Sequence, residues 1–128
     1  MNYAVSIDVP ELDAGLKFYR DAMGLAEVSR PVATYVVLQC GSAKIGLIEK
    51  SAGTKPAKGS RDVRRYERHW TPVHIDFHVE DFEGTLARAL NAGALCEQKF
   101  EGGAHPAVAF CSDPFGNGFC IIGTEARA

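Results

Sequence analysis

The stretch of sequence that decides the fold is HIDFHV, residues 74–79. Its apolar side chains, Ile75, Phe77 and Val79, alternate with polar ones. An alternation with period two is typical of a β-strand that has one face in the core. A second alternating stretch, AVSIDV at residues 4–9, predicts an equivalent strand near the start of the chain.

Each predicted strand is followed by a short polar break and then by apolar residues at helical spacing. These residues are Leu12, Leu16, Tyr19 and Met23 in the first half and Phe82, Leu86 and Leu90 in the second. Gly24 and Gly93 follow the two patterns, at the place where a helix commonly ends on a residue with positive φ. The sequence therefore predicts one helix after each alternating strand.

Further strands are expected after each helix. The apolar runs lie at 34–39 and 44–48 in the first half and at 107–111 and 118–122 in the second, with additional candidate strands at 26–33 and 95–101. Each half thus consists of a strand, a helix and then two or three strands. The chain is interpreted as an internal repeat of an α+β unit.

The composition restricts the class of protein. The 128 residues are 46% hydrophobic and 23% charged, which is typical of a globular domain with its own core. A net charge of −2 argues against a dedicated nucleic-acid-binding protein. No apolar run approaches the roughly 20 residues that cross a bilayer, and the first residues do not resemble a signal peptide. We expect no membrane and no nucleic-acid partner.

The four cysteines are Cys40, Cys96, Cys111 and Cys120, and no two of them have C-x-x-C or other zinc-binding spacing. We interpret them as reduced thiols of a cytoplasmic protein. Cys40, Cys96 and Cys111 are expected to be packing residues. If a disulfide exists, Cys111–Cys120 is the pair to check.

The two halves are joined by a basic segment, residues 50–71. Its charged residues are Lys50, Lys55, Lys58, Arg61, Arg64, Arg65 and Arg68 against Asp62 and Glu67. One interpretation is a solvated linker that is partly mobile at 53–59. The other is a cationic lid that folds back over an anionic ligand.

Three stretches of the sequence are VHIDFHVEDF at 73–82, DPFGNGFC at 113–120, and FYRD at 18–21 followed by MGL at 23–25. Together they resemble motifs of the vicinal oxygen chelate superfamily, which includes glyoxalase I, bleomycin-resistance proteins, fosfomycin-resistance enzymes and extradiol dioxygenases. The resemblance covers nearly the whole chain except the basic segment. It implies one glyoxalase-like domain over 1–128, of α+β class, with βαβββ modules at 1–49 and 72–124 joined by residues 50–71.

The resemblance also bears on metal binding. Metal-using members ring the ion with four positions, which fall here on Ala4, Gly46, His74 and Cys120. Only His74 and the Cys120 thiol carry a ligand atom, so no cofactor and no complete metal site are expected. If a divalent metal does bind, the predicted ligands are His74, Asp76 and Cys120. His78 lies roughly 13 Å along the strand from His74, too far to share one ion with it.

Two functions follow from the resemblance. The first is a bleomycin-resistance-like protein that binds a small polar or anionic molecule in a cleft, as a homodimer. The alternative is a divalent-metal-dependent lyase or dioxygenase, and a metal-free enzyme with His74 or His78 as general base and Asp76 orienting it also stays open. The predicted ligand-binding residues are Asp8, Arg68, Trp70, His74, Asp76, His78 and Cys120, with Phe100, Phe115 and Phe119 as further stacking candidates.

Overall fold

A computed structural model describes residues 1–124 of the chain. The chain divides into two compact units, Met1–Tyr66 and Glu67–Ala128. Each described unit contains one four-stranded mixed sheet and one helical region. The predicted α+β fold with two βαβββ modules is confirmed.

The first module is one sheet with a helix between its first two strands. Its elements are β1 (Val5–Val9), α1 (Leu12–Leu16) with a π-helical continuation (Lys17–Ala22), β2 (Ala26–Val32), β3 (Tyr35–Cys40) and β4 (Ala43–Glu49). The strand order is β1-β4-β3-β2, in which β1 is parallel to β4 and the other pairs are antiparallel. Val9, Leu38 and Leu47 are fully buried in its core.

The second module repeats this arrangement. Its elements are β5 (Ile75–Val79), α2 (Phe82–Asn91), β6 (Leu95–Phe100), β7 (Val108–Ser112) and β8 (Gly118–Gly123). The order is β5-β8-β7-β6, again with only the first pair parallel. Ala109 and Ile121 are fully buried, and Phe77 packs edge-on against Phe119 with ring centroids 5.9 Å apart.

Both helices end as the sequence predicts, at glycines with positive φ, Gly24 (82°) and Gly93 (104°). The inward-facing residues differ in detail. Leu90 was expected in the core but is 42% exposed, because the inner side of α2 is completed by Ala89, which is fully buried. In the first helix, the wider π-helical turn buries the adjacent side chains of Phe18 and Tyr19, which a regular helical spacing does not predict.

The basic segment forms no helix or strand within residues 50–71. Residues up to Tyr66 belong to the first unit, and the remainder belongs to the second. Within the first unit, the backbone amides of Gly53 and Arg64 donate to the carbonyls of Arg64 and Thr54, each at 2.8 Å. The Arg64 guanidinium then pairs with Asp8 on β1 at 2.7 Å. This part of the segment is therefore folded onto its own module.

No helix among residues 1–124 is long and apolar enough to span a membrane.

Candidate functional site

The candidate site lies on the open face of the second module, defined here as the face of its sheet opposite α2. Asp76 on β5, Cys120 on β8 and Phe110 on β7 are directly paired across neighbouring strands, so their side chains share that face. His74 immediately precedes β5. The alternation that predicts the strand therefore also brings these polar groups together.

Three of the predicted residues form a compact group. His74 Nε2 lies 3.1 Å from Asp76 Oδ1. The ligand atoms of His74, Asp76 and Cys120 all lie within 4.8 Å of one another. The side chains of His74 and Asp76 are 48% and 43% exposed, whereas Cys120 is buried. Solvent therefore reaches the imidazole and the carboxylate of the group, whereas the thiol is buried.

The Cys120 thiol is held in its neutral form. Burial raises its pKa to about 11, with further contributions from the negative charge of Asp76 and from the hydrogen bond between the two side chains. A thiol with this pKa is almost entirely protonated at neutral pH. Any metal ion that bound here would have to displace that proton.

A pocket of about 290 Å³ opens above this group. Its wall contains the aromatic residues Trp70, Phe110 and Phe119 and the polar residues Arg68, Thr71, His74 and Glu97. Trp70 is 79% exposed and Phe110 is 40% exposed, which leaves apolar surface available at the rim. The combination of aromatic surface and a few converging polar groups is typical of a small-molecule site.

The positive charge in this pocket is already paired. Arg68 donates from Nε and Nη2 to the two carboxylate oxygens of Glu97, at 2.6 and 3.1 Å, and from Nη1 to the His69 carbonyl. The hydrogen bond from Arg68 lowers the pKa of Glu97, and the same bond raises the pKa of Arg68. The guanidinium also lies against Gly118, where an added Cβ would be 3.1 Å from Nη2. Arg68 is therefore held in the pocket wall by Glu97 and is not an unpaired cation.

The loop between β7 and β8 supports this wall. The buried Asp113 carboxylate accepts hydrogen bonds from the backbone amides of Phe115 and Asn117 and from Asn117 Nδ2, at 2.8 to 3.0 Å. Gly116 has a φ of 93°, and a Cβ there would collide with the Glu67 carbonyl. The glycine thus lets the backbone at the base of Arg68 approach the turn, and its carbonyl accepts from the His69 amide at 3.3 Å.

The other predicted site residues lie elsewhere. Asp8 is in the first unit, where it pairs with Arg64. His78 is exposed on β5 and is absent from both the pocket wall and the His74 group, as far as residues 1–124 are concerned. Phe115 is buried, and Phe100 packs against Phe110 with ring centroids 5.5 Å apart.

Five residues of the wall are not among the predicted site residues: Thr71, Glu97, Phe110, Cys111 and Gly118. Phe110 had a signal, because it alternates with the buried Ala109 and Cys111 and so must face the other side of the sheet. No sequence signal predicts Glu97 as a wall residue, because it occupies an irregularity in the pairing of β6 with β7 between Cys96 and Gln98. A bulge of this kind is not readable from composition.

The prediction that Cys96 is a packing residue is wrong, because the thiol-bearing side chain lies on an exposed edge strand. All four cysteines are free. The pairing of β7 with β8 sets Cys111 opposite Phe119 and Cys120 opposite Phe110. Cys111 and Cys120 therefore belong to opposite faces of the sheet and are not placed to bridge.

The corresponding face of the first module carries no such group. Ala4 and Gly46 occupy the positions of His74 and Cys120, because Ser6 pairs with Gly46 as Asp76 pairs with Cys120. A Cβ at Gly46 would lie 2.9 Å from Tyr35 Cε1. The tyrosine ring thus fills the space that a ligand side chain at residue 46 would need.

Comparison with known proteins identifies the class. The family model described as glyoxalase-like domain matches residues 4–122. The chain therefore belongs to the glyoxalase-like family, within the vicinal oxygen chelate superfamily. A search of curated protein sequences finds no match.

Solved structures show the same fold at low identity. A hypothetical protein from S. aureus, SA1046, is 19% identical over 95% of this chain and 96% of its own, with a TM-score of 0.71. Lactoylglutathione lyase from Agrobacterium tumefaciens is 18% identical over 97% and 93%, with a TM-score of 0.63. A variant of the fosfomycin resistance protein FosX from Listeria monocytogenes, complexed with Mn(II) and 1S,2S-dihydroxypropylphosphonic acid, is 14% identical over 95% and 88%, with a TM-score of 0.70.

Proposed function

We propose that this protein binds a small polar molecule in the pocket of its second module, without the four-ligand metal site of the metal-using members of its superfamily. The observation that carries the proposal is the pocket itself, in which Trp70 and Phe110 offer apolar surface beside His74 and Thr71. Ala4 and Gly46 supply no ligand atom at two of the four positions that hold the metal in the metal-using members.

The charge of the wall argues for a polar ligand over a strongly anionic one. Arg68 is neutralised by Glu97, and Asp76 adds a further carboxylate nearby. A carboxylate or phosphonate ligand would have to displace Glu97 from the guanidinium before it could be paired. The cationic-lid interpretation of the basic segment receives little support from this arrangement.

The single tryptophan makes the proposal testable. The chain has one Trp, and Trp70 lies in the pocket wall. Catechol, benzamide, benzoate and phenylphosphonate, titrated against EDTA-treated protein, form a panel of neutral and anionic probes. We expect at least one neutral probe to change Trp70 emission and raise the melting temperature, because a ligand that binds only the folded state stabilises it.

A matched pair of histidine variants locates the binding. His74→Ala removes a wall residue, whereas His105→Ala removes an exposed histidine that is not part of the wall. We expect the first to weaken binding about tenfold and the second to leave it unchanged. If no probe binds, or if both variants bind equally, the proposal is wrong.

A second candidate function is favoured by the His74, Asp76 and Cys120 group. The imidazole, carboxylate and thiol form a donor set that suits Zn²⁺ and similar ions. Three ligand atoms within 4.8 Å of one another fit one ion after small side-chain movements. When bound, a divalent metal polarises oxygen atoms of a substrate as a Lewis acid, which is the chemistry of a lyase or dioxygenase.

His74 and Asp76 also have a chemical role in the absence of a metal. Asp76 already orients the His74 ring through Nε2, which leaves Nδ1 directed elsewhere as a proton acceptor. In the metal-free enzyme interpretation, His74 with Asp76 is therefore the general-base pair, whereas a bound metal would occupy the same two side chains.

Titration with Co²⁺ tests the second candidate directly. If the group binds the ion, a charge-transfer absorption from the Cys120 thiolate will appear, and binding will strengthen as pH rises because a proton must leave. Cys120→Ser removes that absorption, while Cys40→Ser of the first module retains it. Protein that binds no Co²⁺ or Zn²⁺ excludes this candidate and leaves the first one standing.

The homodimer and the cytoplasmic location stay predictions. We propose both, the first from the superfamily resemblance and the second from four free thiols. Light scattering on purified protein tests the dimer, and a strictly monomeric mass at micromolar concentration contradicts it.

A further inference from the structure

Cys96 and Cys111 are directly opposite each other on β6 and β7. Directly paired residues of antiparallel strands have Cα atoms about 4.5 to 5.5 Å apart and side chains on the same face. Disulfides are found at Cα separations of about 4.4 to 6.8 Å. The backbone therefore already has the spacing that a bridge between these two residues needs.

The thiols themselves are in contact. Cys96 and Cys111 share a side-chain hydrogen bond. Cys96 lies on the exposed edge strand of the sheet, whereas Cys111 is 1% exposed. The Cys96 thiol is accessible to a reagent from solvent, and the Cys111 thiol lies directly beside it.

We propose that Cys96 and Cys111 form a thiol–disulfide exchange site that reacts with low-molecular-weight disulfides such as glutathione disulfide. The thiol pair does not include the residues of the His74 group, because the Cys111 side chain belongs to the opposite face of the sheet from Cys120, although Cys111 also borders the pocket. It does not depend on the proposed ligand-binding function.

The reaction has two balanced steps. The Cys96 sulfur, as thiolate, attacks one sulfur of glutathione disulfide, the S–S bond breaks, and one glutathione leaves and takes up a proton. Cys111 then loses its proton, its sulfur attacks the Cys96 sulfur of the mixed disulfide, and the second glutathione leaves. The two protein thiols are oxidised by two electrons, and glutathione disulfide is reduced to two thiols.

The environments assign the order of the two thiols. Burial, followed by the neighbouring Cys96, raises the pKa of Cys111 to about 12. The buried thiol is thus a poor first nucleophile at neutral pH, and its attack requires the mixed disulfide to be held beside it. The second step should accelerate about tenfold for each pH unit between about pH 7 and pH 9.

The bridge would also fix the irregular part of β6. Glu97 follows Cys96 in the bulge and holds Arg68 through both carboxylate oxygens. A covalent link at residue 96 restricts this edge strand, so the oxidised protein should melt roughly 5 to 10 °C higher than the reduced protein.

The experiment treats the full chain with glutathione disulfide and measures intact mass and peptide masses. Digestion with trypsin and a protease that cuts before Asp113 separates Cys96, Cys111 and Cys120 into three peptides. We expect loss of two hydrogens and a Cys96–Cys111 peptide in the wild type, in Cys40→Ser and in Cys120→Ser. Cys96→Ser should form no bridge, and Cys111→Ala should stop at one glutathione adduct on Cys96.

Three mass-spectrometric results would overturn the proposal. They are a stable glutathione adduct on Cys96 of the wild type without a bridge, a bridge that uses Cys120 instead, and a disulfide between two chains through Cys96. A melting temperature that is unchanged or lower in the bridged protein would show that the register does not pre-position the two thiols. Because Cys96 is exposed, Cys96→Ser is expected to fold. If Cys111→Ala does not fold, the comparison of Cys96→Ser with the wild type still tests the proposal.

Discussion

The two modules share a strand order and a register but differ in what their open faces carry. In the second module, His74, Asp76 and Cys120 converge beneath a pocket. In the first, the two corresponding outer positions are Ala4 and Gly46, and the Tyr35 ring covers the glycine. A repeated backbone therefore preserves the positions of a site without preserving its chemistry.

The hairpins between the last two strands differ in the same way. The first module turns at Gly41-Ser42, and nothing lies within 4 Å of a Cβ built at Gly41. The second turns through Asp113–Asn117, where Gly116 touches the backbone at Glu67 and Arg68. The longer hairpin packs against the segment that carries Arg68, whereas the shorter one only reverses the chain direction.

The largest expected effect on stability tests this difference between the two hairpins. Gly116→Ala combines an unfavourable φ of 93° with a collision against backbone atoms, whereas Gly41→Ala meets only an unfavourable φ of 56°. We expect Gly116→Ala to lower the free energy of unfolding by about 3 to 5 kcal/mol and Gly41→Ala by about 1 kcal/mol. Urea unfolding measures both, and equal costs would show that Gly116 is required only for its φ.

Asp113→Ala is expected to have the next largest effect. It leaves the amides of Phe115 and Asn117 without their carboxylate acceptor in a turn that is largely buried, at a cost of about 2 to 3 kcal/mol. Gln39→Ala is the control in the first module, because it removes an exposed hydrogen bond to the Gly41 carbonyl and should cost about 0.5 kcal/mol. Comparable losses in urea unfolding would contradict a special role for Asp113.

These positions show how far sequence reasoning reaches. The alternation at 74–79, the helix-ending glycines and the repeat were all predictable, because each depends on local spacing. His74 and Asp76 were predicted to lie together from the same alternation, whereas Cys120 entered the predicted group only through the resemblance to the superfamily. Arg68 was predicted to contact a ligand, but its pairing with Glu97 was not, since that contact depends on a bulge.

Arg64 provides the next test, because it anchors the basic segment to the first module through Asp8. The Arg64 side chain is 15% exposed and bonds to Asp8, Thr54 and the Lys55 carbonyl. Arg64→Gln should therefore lower the free energy of unfolding by about 1.5 kcal/mol. Arg65→Gln, whose pair with Asp62 is 57% and 69% exposed, should change it by less than about 0.5 kcal/mol.

In urea unfolding, similar values for Arg64→Gln and Arg65→Gln would mean that the segment is not anchored through Asp8. High salt should weaken the contribution of Arg65 more than that of Arg64, because screening acts mainly on exposed pairs.

Cys120 and Cys40 allow a comparison of the two modules in which the expected effect is smaller. Burial, followed by Asp76, raises the pKa of Cys120, whereas burial alone raises the pKa of Cys40 in the first module. Asp76→Asn should lower the pKa of Cys120 and increase its alkylation by iodoacetamide at about pH 8 roughly fivefold, with Cys40 unchanged. Peptide mass spectrometry measures both rates in the same sample. A parallel increase at Cys40 would indicate general loosening of the protein instead of a local electrostatic effect.

The smallest expected effect concerns Glu97, whose pKa Arg68 lowers from its ordinary value of 4.5. A carboxylate with a lower pKa in the folded chain stabilises the fold above its unfolded pKa, and that stabilisation is lost as the pH falls through the folded pKa. Because the two side chains are 39% and 40% exposed, solvent limits the contribution to about 0.5 kcal/mol. Glu97→Gln should therefore be less stable than wild type at about pH 7, and the difference should shrink as the pH falls below the ordinary value of 4.5. A deficit that persists in urea unfolding at the lower pH would mean that Glu97 stabilises the module through packing and not through its charge.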